Sequence, residues 1–195
     1  MANQDVLPVT SDRTSGFERV RIDSGQTGFF EGREFRTFKE LNIAAGATYV
    51  IRAIVPLNII LFGLEVDLDG GWLRIGTYVG GTPGGVFAEV LPVIVTNNMS
   101  PGVNHRKNAS QAIYAAQTTL AAGGTHAGGV ELDVIRIKSA DNSNFAASVG
   151  SGENDERGIG ANTYYFRLLN LGSVDAVIGT FKARWEERPS GFFET

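Results

Sequence analysis

Residues 161–187 read ANTYYFRLLNLGSVDAVIGTFKARWEE, and the reading of this stretch decides the fold. Tyr164, Phe166 and Leu168 recur at alternate positions, and so do Val177, Phe181, Ala183 and Trp185 in the second half. A period of two puts those side chains on one face of a strand; a helix would repeat every 3.6 residues. Gly172-Ser173 separates the halves and reads as a turn. The stretch is therefore predicted to be a long antiparallel β-hairpin with aromatic pairs across it, each worth roughly 0.2–1 kcal/mol. Glu186-Glu187-Arg188-Pro189 then reads as a charged cut-off after the last buried ring.

Working outward, Val130–Lys138 alternates as well. Val130, Leu132 and Val134 fall on one face and Glu131 and Asp133 on the other; Ile135 and Ile137 then make the strand's end apolar on both sides. Gly150–Gly160 is an acidic loop. Ser110–Ala122 is ambiguous. Ser110 suits a helix cap, and Ile113, Ala116 and Leu120 share a helical face. Thr118, Thr119 and Gly123-Gly124 favour a strand or an extended loop. Upstream, Arg33–Ile43, Ala47–Val55, Leu57–Leu68, Trp72–Val79 and Val86–Thr96 read as strands, rich in residues that fit a pleated surface. Pro56 ends one of them, and Pro92 marks an edge or a bulge in another. Asp69-Gly70-Gly71 reads as a hairpin turn, and Gly80–Gly85 as a glycine-rich loop. Eight to ten strands without intervening helices predict an all-β fold, an antiparallel β-sandwich or jelly roll over residues 33–195. Residues 1–32 are polar and read as an extended N-terminal arm, either a disordered tail or a segment that orders on a neighbouring molecule, with a short strand at Phe17–Ile22.

Composition bounds the function. The 195-residue chain is 43% hydrophobic, enough for one core, and only 19% charged. Its formal net charge of −4 argues against nucleic acid, which needs a positive field. Arg33, Arg36 and Lys39 form the nearest approach to a basic cluster and read as a solvated strand face. With no cysteine there are no disulfides and no thiolate chemistry. No signal peptide opens the chain, and its longest apolar stretch, Ala53–Leu64, is too short to span a membrane. The expectation is a protein assembled in the cytoplasm without secretion.

Side chains able to do chemistry are few. The two histidines, His105 and His126, lie in loop-like Asn/Gly-rich segments, and His126 reads as part of a turn. Asp67-Leu68-Asp69-Gly70 lacks the ligands of a calcium loop, and Glu153, Asp155 and Glu156 read as solvated. Gly76–Gly85 has no following Lys-Ser or Lys-Thr and is no phosphate loop. Glu186 and Glu187 point to opposite strand faces and cannot flank one glycosidic bond. Asn98 and Asn108 head chance glycosylation sequons. No catalytic, cofactor-binding or metal residue is assigned, and no enzyme activity is expected. Trp72, Tyr78, Phe87 and Tyr114 would have to be exposed together for a carbohydrate-binding sandwich.

The stretch 161–187 resembles structural proteins of tailed-bacteriophage virions. So do TGFFEGREFRTF at 27–38, AAGATYVIRAIVPLNIILFGLEVDLDGGWLRI at 44–75 and GGTHAGGVELDVIRI at 123–137. The resemblance covers most of the chain after residue 26. It implies a small β-rich virion component of the head-decoration, or cement, kind, bound to the shell of the major capsid protein. A tail, neck or fibre adaptor is the alternative, and a carbohydrate-binding module the reading from another class. Shells reuse one surface many times, so a homo-oligomer is expected, a trimer first.

Overall fold

The alternating runs become strands that bury one face each. The computed structural model describes residues 10–11, 18–19, 32–95, 115–139, 145–149 and 157–187. Its strands are β1 (Thr10–Ser11), β2 (Glu18–Arg19), β3 (Glu34–Ile43), β4 (Thr48–Val55), β5 (Ile59–Gly70), β6 (Trp72–Val79), β7 (Thr82–Gly84) and β8 (Glu89–Val90). There follow β9 (Ile94–Val95), β10 (Thr119–Ala122), β11 (Thr125–Ala127), β12 (Val130–Lys138), β13 (Phe145–Val149), β14 (Arg157–Ile159), β15 (Asn162–Asn170) and β16 (Val177–Glu187). Among the described residues the fold is all-β and every pairing is antiparallel. Sheet one runs β13-β5-β16-β3-β9, with β14 also on β5; sheet two runs β12-β6-β15-β4-β10-β8.

The two sheets close on one apolar core. Phe35, Leu41 and Ile43 of β3, Val66 and Leu68 of β5, and Val177, Phe181 and Trp185 of β16 face inward from sheet one. Ile51 and Ala53 of β4, Leu73 and Ile75 of β6, and Phe166 and Leu168 of β15 meet them from sheet two. The rings of Phe166 and Phe181 lie 5.6 Å apart across this interior. The sandwich expected from the sequence is thus present.

Its connections differ from the expected ones. β15 and β16 lie in opposite sheets, so residues 161–187 form an arch over the core and no hairpin. The expected meeting of Phe166 with the return strand does occur, face to face between sheets. The Gly70-Gly71 turn is likewise an arch, because β5 belongs to sheet one and β6 to sheet two. Gly71 sits at φ +97°, and a Cβ there would fall 2.7 Å from Val177 Cγ2. No larger residue allows so close a crossing. A third arch joins β3 to β4, and buried Asn170 ties it to the β15–β16 arch. Its Nδ2 donates to the carbonyls of Ile43 (2.9 Å) and Asp175 (2.8 Å), and its Oδ1 accepts from the Gly172 N–H (2.8 Å).

Smaller departures have local causes. Val86–Thr96 breaks into β8 and β9 on different sheets, with Pro92 between them. Residues 115–118 have no regular structure and lead into β10, so the described part of Ser110–Ala122 is loop and strand; residues 110–114 lie outside the described residues. Val130, Leu132 and Val134 are exposed, because β12 ends sheet two among the described residues and is bulged between Glu131 and Asp133. The charged cut-off is no cut-off: Glu186 and Glu187 are buried. Arg33, read as solvated, is buried too and pairs with Glu186 at 2.8 Å. The Glu187 N–H donates to the Arg33 carbonyl (3.0 Å), so the start of β3 is fixed to the end of β16. Of residues 1–31, only the β1–β2 pair is described, and it includes part of the strand expected near Phe17–Ile22.

Candidate functional site

The outer faces of the two sheets are built differently, and the difference locates the candidate site. On sheet two, alternation sends Val50 and Arg52 of β4, Tyr165 and Arg167 of β15, and Arg74, Gly76 and Tyr78 of β6 outward. The chain covers them itself. β7 pairs with β11, and this glycine-rich strap, residues 80–87 and 123–129, lies over the face. The His126 ring stacks on Tyr165 at 3.9 Å with an 11° tilt, and Phe87 packs on the same tyrosine. Arg167 Nε donates to His126 Nδ1 (2.9 Å), so His126 is the neutral Nε2–H tautomer that donates to the Gly80 carbonyl (2.7 Å). The Arg167 guanidinium also lies 3.8 Å over the Tyr78 ring and bonds the Gly128 carbonyl. Arg52 lies over Phe87 at 4.5 Å.

This lock extends to the sheet edge. The Tyr78 hydroxyl donates to Glu131 (2.7 Å) and accepts from Arg74, which also pairs with Glu131. Tyr78 first, and then Arg74, hold the Glu131 carboxyl below its ordinary range. Gly81 and Gly124 let the strap approach: a Cβ would fall 2.6 Å from His126 Nε2 at the first and 2.4 Å from the Phe87 ring at the second. His126 is thus a buried strand residue, 9% exposed, and no turn residue. Its flanking glycines were the only sequence signal of that close packing.

No described element covers the groove on the outer face of sheet one. Cross-strand rows place Arg36 beside Arg184 beside Gly63, and Phe38 beside Lys182 beside Glu65. Phe62 is the extra residue of a bulge in β5, and the Arg184 guanidinium covers its ring at 5.2 Å. These residues line a shallow groove of about 630 Å³. Gly63 helps to keep it open, since a Cβ there would meet nothing within 4 Å. Arg184 reaches Glu34 at 3.6 Å, and Lys182 pairs with Asp67 and, at 3.9 Å, with Glu65. The bond to Asp67 raises the Lys182 pKa. Phe38 is 45% exposed. Arg36 is exposed as well, as the sequence reading expected.

The remaining sequence candidates are not brought together. Asp67 belongs to the Lys182 pair and Asp69 is exposed on the same strand. Among the described residues no group of three or more His, Cys, Asp or Glu is placed to hold a metal. His105, Asn98, Asn108, Tyr114, Glu153, Asp155 and Glu156 lie outside the described residues. Trp72 is exposed beside Lys138, whereas Tyr78 lies under the strap and Phe87 points from the strap onto Tyr165, so these three do not form one aromatic platform. Lys39, the last of the expected basic cluster, pairs with Glu89. That contact, with the Tyr49 hydroxyl at 2.6 Å, joins the two sheets. Lys39 first and Tyr49 second lower the Glu89 pKa; burial and Glu89 raise that of Tyr49.

Comparison of the chain with protein-family models, with curated proteins and with solved structures returns no match.

Proposed function

We propose that this protein is a structural component of a phage virion, a head-decoration protein that binds the shell of the major capsid protein through the outer face of sheet one. The observation that carries the reading is the open groove with Arg36, Phe38, Phe62 and Arg184 at its surface. Arginine and aromatic side chains are the residues enriched in protein interfaces. The shallow, mixed lining suits another protein's surface better than an enclosed small molecule. The resemblance of residues 27–38, 44–75, 123–137 and 161–187 to tailed-phage virion proteins supplies the partner class. We read the strand order as a jelly roll, with β3-β16-β5-β13 in one sheet and β4-β15-β6-β12 in the other. Folds of this kind serve several functions, so the groove and not the fold carries the proposal.

Purified protein is expected to cosediment with heads that lack it and to saturate at a fixed ratio. The double variant Arg36→Glu with Phe38→Ser is expected to lose that binding and keep the parent's melting temperature. Binding to tails alone would replace this reading with the tail, neck or fibre adaptor. Undiminished head binding by the double variant would remove the groove from the account. Light scattering on the eluted protein tests the expected homotrimer.

A further inference from the structure

Between the two sheets, on the side of β12 and β14, the core is incompletely filled. A cavity of about 290 Å³ opens there, with its mouth between Leu132 and Asp133 of the β12 bulge and Gly158–Gly160. Close packing normally leaves few voids larger than a water molecule. This one is about twice the size of the ~150 Å³ apolar cavity that admits benzene. The exposures of the core residues record the opening. Ala53, Val55, Ile59, Leu64, Phe166 and Ala183 line it and keep 4–8% exposure, whereas Ile51, Leu73, Ile75, Leu168, Val177 and Phe181 show 0–1%.

One polar group is left over. Thr118 lines the cavity, is 3% exposed, and its hydroxyl has no hydrogen-bond partner among the described residues. A buried hydroxyl without a partner costs roughly 1–3 kcal/mol, and a bound molecule would supply the missing bond. The neighbouring buried Glu187 carboxylate is already occupied by the N–H groups of Gln117 and Thr118 and the Trp185 indole. Its presence disfavours an anionic guest. Gly158 puts no side chain at the mouth, and a Cβ there would meet nothing within 4 Å.

We propose that this inter-sheet cavity is a binding site for a small neutral molecule with an apolar body and one hydroxyl group. The apolar body lies among Ile59, Leu64, Phe166 and Trp185, and the hydroxyl pairs with Thr118. This site is separate from the open groove and does not depend on the virion reading.

The chain has two tryptophans, so Trp72→Phe leaves Trp185, in the cavity wall, as the sole indole reporter. Titration of that variant with 4-bromobenzyl alcohol, a heavy-atom quencher, is expected to give saturable quenching. Adding Thr118→Val should weaken the binding by roughly 2- to 10-fold. It should also raise the melting temperature of the unliganded protein, since the unpartnered hydroxyl is gone. Ala183→Leu should fill the space, abolish saturable quenching and raise the melting temperature; Ala53→Val is the milder filling variant should Ala183→Leu not fold. Linear quenching, or equal quenching in the filled variants, overturns the proposal. So does a lower melting temperature in both filled variants, which would mean that the space is already occupied. Loss of oligomers in the filled variants, with no quenching in the parent, would assign the cavity to a partner's side chain and likewise overturn it.

Discussion

The sandwich has two outer faces made from the same kind of alternating strand, and the described residues cover only one of them. On sheet two, Tyr165, Tyr78, Val50 and Phe87 form a small second core, roofed by the strap and fastened by His126 and Arg167. On sheet one, Phe38 and Phe62 stand at an open groove with Arg36 and Arg184. A face that the chain covers itself does its work in stability. A face left with the exposed Phe38 ring and the guanidinium groups of Arg36 and Arg184 is available to a partner. Substitutions should therefore separate cleanly: sheet two's face should move the melting temperature, and sheet one's face should move binding.

The largest expected effect lies between the faces, in the core both share. Phe181 is fully buried against Phe166, so Phe181→Ala should cost about 3–5 kcal/mol, read by denaturant unfolding. Nearly as severe is Arg33→Ala, at roughly 3 kcal/mol, because it removes a buried cation that pairs with the buried Glu186. A loss below 1 kcal/mol would return Arg33 to the solvated face expected from the sequence. Next comes the closed face. His126→Ala removes the stack on Tyr165 and orphans the Arg167 Nε–H, for about 1–3 kcal/mol. Amide exchange should then quicken in residues 80–87 and 123–129 with β16 still protected; uniform loss of protection would mean that the strap is part of the core. The matched change on the open face, Phe38→Ala, should stay within about 0.5 kcal/mol of the parent.

The smallest effect is a pH dependence where Glu89 joins the sheets. Its carboxyl pKa is depressed in the folded protein, so the contribution is present above the unfolded value and lost as pH falls through the folded one. Since Glu89 is largely exposed, the amount is under about 1 kcal/mol. Lys39→Met should lower stability at neutral pH by up to that amount and leave stability in acid nearly unchanged, so the pH profile flattens; an identical profile would show that the pair contributes nothing.

Much of the fold could be read from alternation. The runs predicted for β3, β4, β6, β12, β15 and β16 begin and end close to the observed strands, because burial of one face forces a period of two. Which sheet each strand joins could not be read. Phe166 and Phe181 satisfy the same pattern whether they sit side by side in a hairpin or face each other across a core. A glycine turn such as Gly70-Gly71 serves either connection. The polar contacts were also hidden. Glu186, Glu187, Asn170 and His126 look like surface residues in sequence, and in the fold they are held by partners up to 154 positions away. The open groove depends on a bulge at Phe62 and a missing side chain at Gly63; the lone glycine inside a strand is a local bulge signal, but nothing local places a groove beside it.

The absence of cysteine allows a direct test of the two-face account. Single variants Phe38→Cys, on the open face, and Val86→Cys, on the strap and 76% exposed, can each be labelled with a maleimide before and after binding to heads. Head binding is expected to slow labelling at position 38 sharply and to leave position 86 unchanged. Protection of position 86 with position 38 still reactive would contradict it and make the strap the docking surface.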